Sequence, residues 1–289
     1  MENVILWDLM RNAWSRIEAR YKPALNQMVS RSKLTIREWM LLIATLTFEP
    51  EDTTPSHLMV RGPYTSSDKY LAGLEKAAGA GYLVRVGDGR YRLSEEGKKA
   101  VQELIRVARE AMTPPGNLTH QELSELAEQL NKLVNNCLEA PPPPDSWSIT
   151  LSHKLMPPMD PPLPFIEQSI SCLKAYRDDA HLASWCSSGL SASAMESLTL
   201  IWRGQVYTFQ ELLAKLYFRG HPDVVYLDAI AELRANGYLT GSRNNIKITS
   251  EGIKFRDQVE QKTEEYFFRP WDRLSESERR QIAGILEQI

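Results

Sequence analysis

The feature that most constrains this chain is a repeat that recurs at one long offset. Leu34-Thr35 matches Leu190-Ser191, Tyr70-Leu71 matches Tyr226-Leu227, Gly81-Tyr82-Leu83 matches Gly237-Tyr238-Leu239, and Leu118-Thr119 matches Leu274-Ser275, each pair 156 positions apart. Glu96-Gly97 and Glu251-Gly252 stand 155 apart, so the second hairpin turn is expected to be one residue shorter. Solenoid repeats run to about 20 to 50 residues. A longer period with two copies means a duplicated domain. With roughly 100 to 200 residues per domain, 289 residues accommodate two cores. The expected organisation is a first domain over 1–139, a linker over 140–165 and a second domain over 166–289.

Within the first copy the pattern changes period in a fixed order. Leu6, Met10, Trp14, Ile17 and Tyr21 make a helical stripe that Pro23 interrupts or kinks. An apolar helix from about 35 to 46 follows, then a short one beginning at Pro55. A capping box in an Asp variant, Thr65-Ser66-Ser67-Asp68, opens the next helix. Val84-Arg85-Val86 and Arg90-Tyr91-Arg92-Leu93 alternate as strands about the turn residues Gly87-Asp88-Gly89. Ser94 then reads as the N-cap of an amphipathic helix. The 140–165 stretch is too proline-rich for regular structure and is expected to be an extended tether with a reach of roughly 80 Å.

Leu123, Leu126, Leu130, Leu133 and Cys137 form a narrow seam of the kind found on helices that pack along one another, and Ile282, Ile285 or Leu286, and Ile289 form its counterpart. The expected fold class is therefore mainly α, two tandem domains joined by a Pro-rich linker, each with helices and a small antiparallel hairpin.

Composition narrows the function. A net charge of −3 means that any nucleic-acid contact comes from local patches. Between 55 and 100 there are eight bases against five acids. No apolar run approaches the roughly 18 residues of a membrane span, and the start lacks a cleavage-site pattern, so a cytoplasmic location is expected. Cys137, Cys172 and Cys186 lack paired metal-type spacing and are expected as reduced thiols. No phosphate loop, nucleophile elbow or paired catalytic carboxylates occur, so the expectation is a protein without enzyme activity, catalytic residues or cofactor. Asp178, Asp179 and His181 lie close together, but adjacent acids beside a helical His more often form a surface cluster than a metal site, and no metal is expected.

The segments "YLAGLEKAAGAGYLVR" and "RLSEEGKKAV" around the first wing resemble the winged helix-turn-helix of MarR-type bacterial transcription regulators. The resemblance covers most of the chain outside the linker. It implies a helix in the DNA major groove before the wing, a wing reaching the minor groove, and terminal helices that form a dimer. A fused double copy then corresponds to such a dimer in one chain: a single-chain pseudo-dimer, monomeric in solution, with double-stranded DNA as its partner. Asp88-Gly89-Arg90 resembles the family's wing Asp-x-Arg, in which the acid orients the arginine.

The candidate DNA-binding residues are Arg61, Ser66, Ser67, Lys69, Arg85, Arg90 and Arg92 in the first copy and Arg219, Arg243, Asn244 and Lys247 in the second. The second copy carries Pro222-Asp223-Val224-Val225 where the first has Ser66-Ser67-Asp68-Lys69, so the first copy is expected to dominate DNA contact. The resemblance adds a small aromatic effector, with Trp185, Trp202, Tyr266, Phe267 and Trp271 as pocket candidates. Asp223 in that turn and the acidic overall balance favour an alternative, a tandem winged-helix scaffold that binds protein with little or no DNA binding.

Overall fold

The computed structural model describes residues 2–289, and its chain is mainly helical with two small hairpins. The first half runs α1 (Asn3–Ser30), α2 (Ile36–Phe48), α3 (Pro55–Arg61), α4 (Ser67–Gly79), β1 (Leu83–Gly87), β2 (Arg90–Leu93), α5 (Glu95–Glu110) and α6 (His120–Leu138). After α7 (Trp147–His153) and α8 (Pro162–Trp185) the order returns as α9 (Ala192–Trp202), α10 (Phe209–Leu216), α11 (Asp223–Ala235), β3 (Leu239–Ser242), β4 (Asn245–Ile248), α12 (Ser250–Phe268) and α13 (Glu276–Leu286). Starts at Ile36 and Ala192, Ser67 and Asp223, and His120 and Glu276 are each 156 positions apart.

Local chemistry sets these boundaries. Thr119 with Glu122 and Ser275 with Glu278 form complete capping boxes, satisfying orphan donors at the starts of α6 and α13. Ser94 Oγ accepts from Gly97 N–H at 2.9 Å and fixes the start of α5. On α4 the cap is Ser66, one residue later than expected, accepting from Lys69 N–H at 3.2 Å. Pro23 does not end α1, which continues to Ser30. The buried residues Leu6, Met10 and Ile17 all lie before the proline and hold the helix in place despite the lost hydrogen bond.

The proline-rich stretch also differs from the extended tether expected. Its proline-free part, Trp147–His153, is helical as α7. The Asp179 carboxylate accepts from Ser148 N–H at 2.8 Å and Ile149 N–H at 3.0 Å, capping that helix where no local side chain does. Pro162 and Pro164 sit in the first turn of α8, where a missing N–H costs nothing.

The chain divides into two compact units. Unit 1 comprises residues up to Thr54, Gly73–Asp179 and Tyr266–Ile289. Unit 2 comprises Pro55–Ala72 and Ala180–Glu265. In unit 1, α1 packs on α2, α5 and α13, and α6 packs along α13 and the 3-10 turn Arg269–Arg273. Leu126, Leu130, Leu133 and Ile282 are fully buried there, with Ile285 and Ile289 close behind. Lys132 pairs with Glu278 at 2.5 Å at the edge of that seam. In unit 2, α9 packs on α11 and β4 around Trp185, Leu198, Leu212, Tyr226 and Leu233, and Tyr64 packs against the same core.

The two hairpins explain the change of offset, though not as expected. β3 and β4 pair regularly from Leu239↔Ile248 to Ser242↔Asn245, leaving Arg243-Asn244 as the turn. β1 and β2 pair from Leu83↔Leu93 to Gly87↔Arg90, leaving Asp88-Gly89, with a register shift between Arg85 and Gly87. Both turns therefore have two residues. The extra residue of the first wing is Val86, absorbed in a bulge.

Candidate nucleic-acid interface

Each wing is fixed by a third segment. In the first, Thr53 and Tyr91 exchange backbone hydrogen bonds of 2.8 and 2.9 Å. In the second, Phe209 N–H donates to Arg243 C=O and Ile246 N–H to Tyr207 C=O, both at 2.8 Å. Tyr91 and Leu93 point inward on β2 while Arg90 and Arg92 point out, the alternation that a half-buried strand requires.

The first wing's arginines are exposed but engaged. Arg92 donates to Asp52 Oδ1 from Nε at 3.0 Å and Nη2 at 2.7 Å, and Arg90 Nη1 lies 3.8 Å from Asp52 Oδ2. Arg85 pairs with Glu75, its Nε at 2.9 Å from Oε1, and the Tyr91 hydroxyl donates to the same carboxylate. The acid that meets Arg90 is thus Asp52, not the wing's own Asp88. Asp52 and Glu75 were not identified as partners from sequence, since Asp52 stands 38 and 40 residues from Arg90 and Arg92, and Glu75 stands 10 from Arg85.

The second wing is the reverse case. Arg243, Asn244 and Lys247 are exposed. Among the described residues none of these three forms an ion pair, and the Arg243 guanidinium lies over the Phe209 ring at 5.9 Å.

The remaining candidates lie in unit 2. Arg61 is exposed in the last turn of α3, and Ser67 is exposed at the start of α4. Ser66, expected on an exposed turn, is buried: its N–H donates to Arg219 C=O and its hydroxyl to Gly220 C=O, both at 3.0 Å. Lys69 is half-buried against Gly220. Arg219 is held by Glu196, Nε to Oε1 at 2.9 Å, and by Thr65, Nη1 to Oγ1 at 3.3 Å. Burial pushes the Glu196 carboxyl upward, an effect that Arg219 opposes. On α11 the first turn presents Asp223 and an exposed Val224.

Of the expected effector residues, Trp185, Phe267 and Trp271 are buried, whereas Trp202 and Tyr266 are half-buried. Phe267 and Trp271 are fully buried in unit 1, stacked edge-on with Trp7 at 4.9 and 6.2 Å. Tyr266 lies under Arg269 at 5.8 Å. Trp185 belongs to the core of unit 2, and Trp202 lies under the buried Arg256 at 4.8 Å while its Nε1 donates to Asp257 at 2.9 Å. A cavity of about 330 Å³ in unit 1 is lined by Phe48, Pro50, Trp147, Leu151 and Lys154 among others, and by none of these five.

Among the described residues no group of three or more His, Cys, Asp or Glu is placed to hold a metal, and no helix is long and apolar enough to cross a membrane. No curated protein and no solved structure matches the chain. Residues 149–289, which hold α9 to α11 and the second wing, match a helix-turn-helix family, and this half of the chain carries a helix-turn-helix family domain.

Proposed function

We propose that the protein is a DNA-binding transcriptional regulator that meets the phosphate backbone with its wings. The observation that carries this is the second wing, where Arg243 and Lys247 stand exposed without a carboxylate partner among the described residues, beside a helix-turn-helix. Unpaired cations release counterions from DNA at no internal cost, whereas paired ones must first give up an acid. The number of cations favours the first copy, but their pairing favours the second, and we take the second as the stronger contact. The repeated element order and the packing of α6 along α13 support a MarR-type pair fused into one chain. A gel shift on a duplex of the gene's upstream region, repeated from 50 to 200 mM salt, tests the reading. Binding that weakens steeply with salt is expected, and its absence at 50 mM would overturn the proposal.

The scaffold reading is favoured by a different observation in unit 2. Tyr207, Tyr217 and Val224 are 60%, 78% and 54% exposed on and around α10 and α11, where a reader of bases would present polar donors. Retention of a protein partner in 0.5 M salt with no DNA shift would establish it.

A further inference from the structure

In unit 2 the start of α4 is tied to the turn that precedes α11. Ser66 donates to two consecutive carbonyls, Arg219 and Gly220, while Arg219 reaches Thr65 Oγ1 at 3.3 Å and His221 Nε2 lies 3.1 Å from Tyr64 C=O. Gly220 has φ of +77°, and a Cβ there would meet Lys69 Cβ and Cδ at 2.8 Å and Ser66 Oγ at 3.0 Å. The contact therefore requires glycine both for its backbone and for its closeness.

Two-fold helix-turn-helix readers contact bases with the N-terminal residues of their recognition helices, in half-sites about 34 Å apart. Ser66 is the N-cap of α4, and Gly220 stands two residues before Pro222, the N-cap of α11. Helix starts joined by direct hydrogen bonds cannot occupy two such grooves together. Each helix has 13 residues, about 20 Å of length, too little to make up the separation.

We propose that this contact is an autoinhibitory clasp: the Thr65-Ser66 and Arg219-Gly220-His221 segments hold both recognition-helix starts closed, and opening them is required for two-site reading of DNA. The inference rests on the DNA-binding reading above. The clasp is built to open. Its polar groups are incompletely matched, because the buried Glu196 Oε2 has no hydrogen-bond partner even though Oε1 holds Arg219. Its four hydrogen bonds each involve a backbone carbonyl or a hydroxyl as acceptor, so releasing them exposes groups that water can satisfy.

The test combines amide hydrogen exchange with DNA titration on the full chain, using a 30-base-pair duplex of the upstream region. Gly220→Ala places a Cβ against Lys69 in a backbone conformation that alanine resists. Gly220→Asn makes the same clash with less backbone strain. Both should speed exchange at the Ser66 amide while the Leu130 amide on α6 stays protected, and both should tighten DNA binding about tenfold, as expected where the competent state is a tenth of the population. By reciprocity, adding duplex to the unaltered protein should speed exchange at Ser66. This last measurement also decides the matter if both variants lose protection throughout. Unchanged salt-dependent affinity in a variant whose Ser66 amide has opened overturns the clasp alone, as does protection of Ser66 by DNA. Absence of DNA binding in every form overturns the clasp together with the DNA-binding reading.

Discussion

The two wings are built alike and differ in what their cations face. Arg85, Arg90 and Arg92 on the first meet Glu75 and Asp52, whereas Arg243 and Lys247 on the second meet no acid among the described residues. The acids that neutralise the first wing come from outside the hairpin, one before α3 and one from α4. A cation count over a segment therefore measures the patch poorly, because the chain folds acids onto it from elsewhere. The wing with fewer basic residues is the one whose cations no acid neutralises among the described residues.

The matched inward positions, Tyr91 and Ile246, give the largest expected effects. Both are buried, at 1% and 3% exposure, but Tyr91 also donates to Glu75. Tyr91→Ala should cost about 3 to 5 kcal/mol and Ile246→Ala about 2 to 5 kcal/mol in urea unfolding. A loss under about 1 kcal/mol for Tyr91→Ala would show that the first wing is not anchored through it.

Making the first wing resemble the second gives a smaller change. Asp52→Asn frees Arg90 and Arg92, and the slope of log affinity against log salt should steepen by up to about 1.8, at about 0.9 per added phosphate contact. Stability should change by less than about 1 kcal/mol, as for other exposed ion pairs. An unchanged slope would mean that the first wing lies away from DNA whatever its charge.

The smallest effect separates the matched capping boxes of α6 and α13. Hydrogen bonds from Lys132 and Ser275 hold the Glu278 carboxyl down at about 2, while Glu122 is lowered through Thr119 alone. A carboxyl depressed in the folded state contributes stability that is present above its unfolded value of about 4.3 and is lost as pH falls toward 2. Denaturant unfolding at pH 5 and pH 2.5 should show a shallower acid loss for Glu278→Gln than for the unaltered protein. Equal losses would remove the Lys132 link from the α6–α13 seam.

How far the sequence could be read follows the range of the interactions. Ser94 announced its helix because an N-cap acts within four residues, and the first hairpin was legible from alternation and turn glycines. The offset of 155 was visible, but a bulge at Val86 and a longer turn leave the same trace in sequence. Helix α7 was missed because its cap, Asp179, lies some 30 residues away. The burial of Ser66 was missed because its partners lie more than 150 residues on, and no local pattern marks such a pairing. Aromatics such as Phe267 and Trp271 are more often core than pocket, and their rings pack against Trp7, some 260 residues away in sequence.

The central claim, that the second wing carries the available charge, is tested most directly by salt titration of three proteins on one duplex. Against the unaltered chain, Arg243→Ala/Lys247→Ala should flatten the salt slope by about 1.8, while Arg90→Ala/Arg92→Ala should change it by less than about half as much. The reverse order, with the first-wing pair flattening the slope and the second-wing pair leaving it intact, would contradict the account.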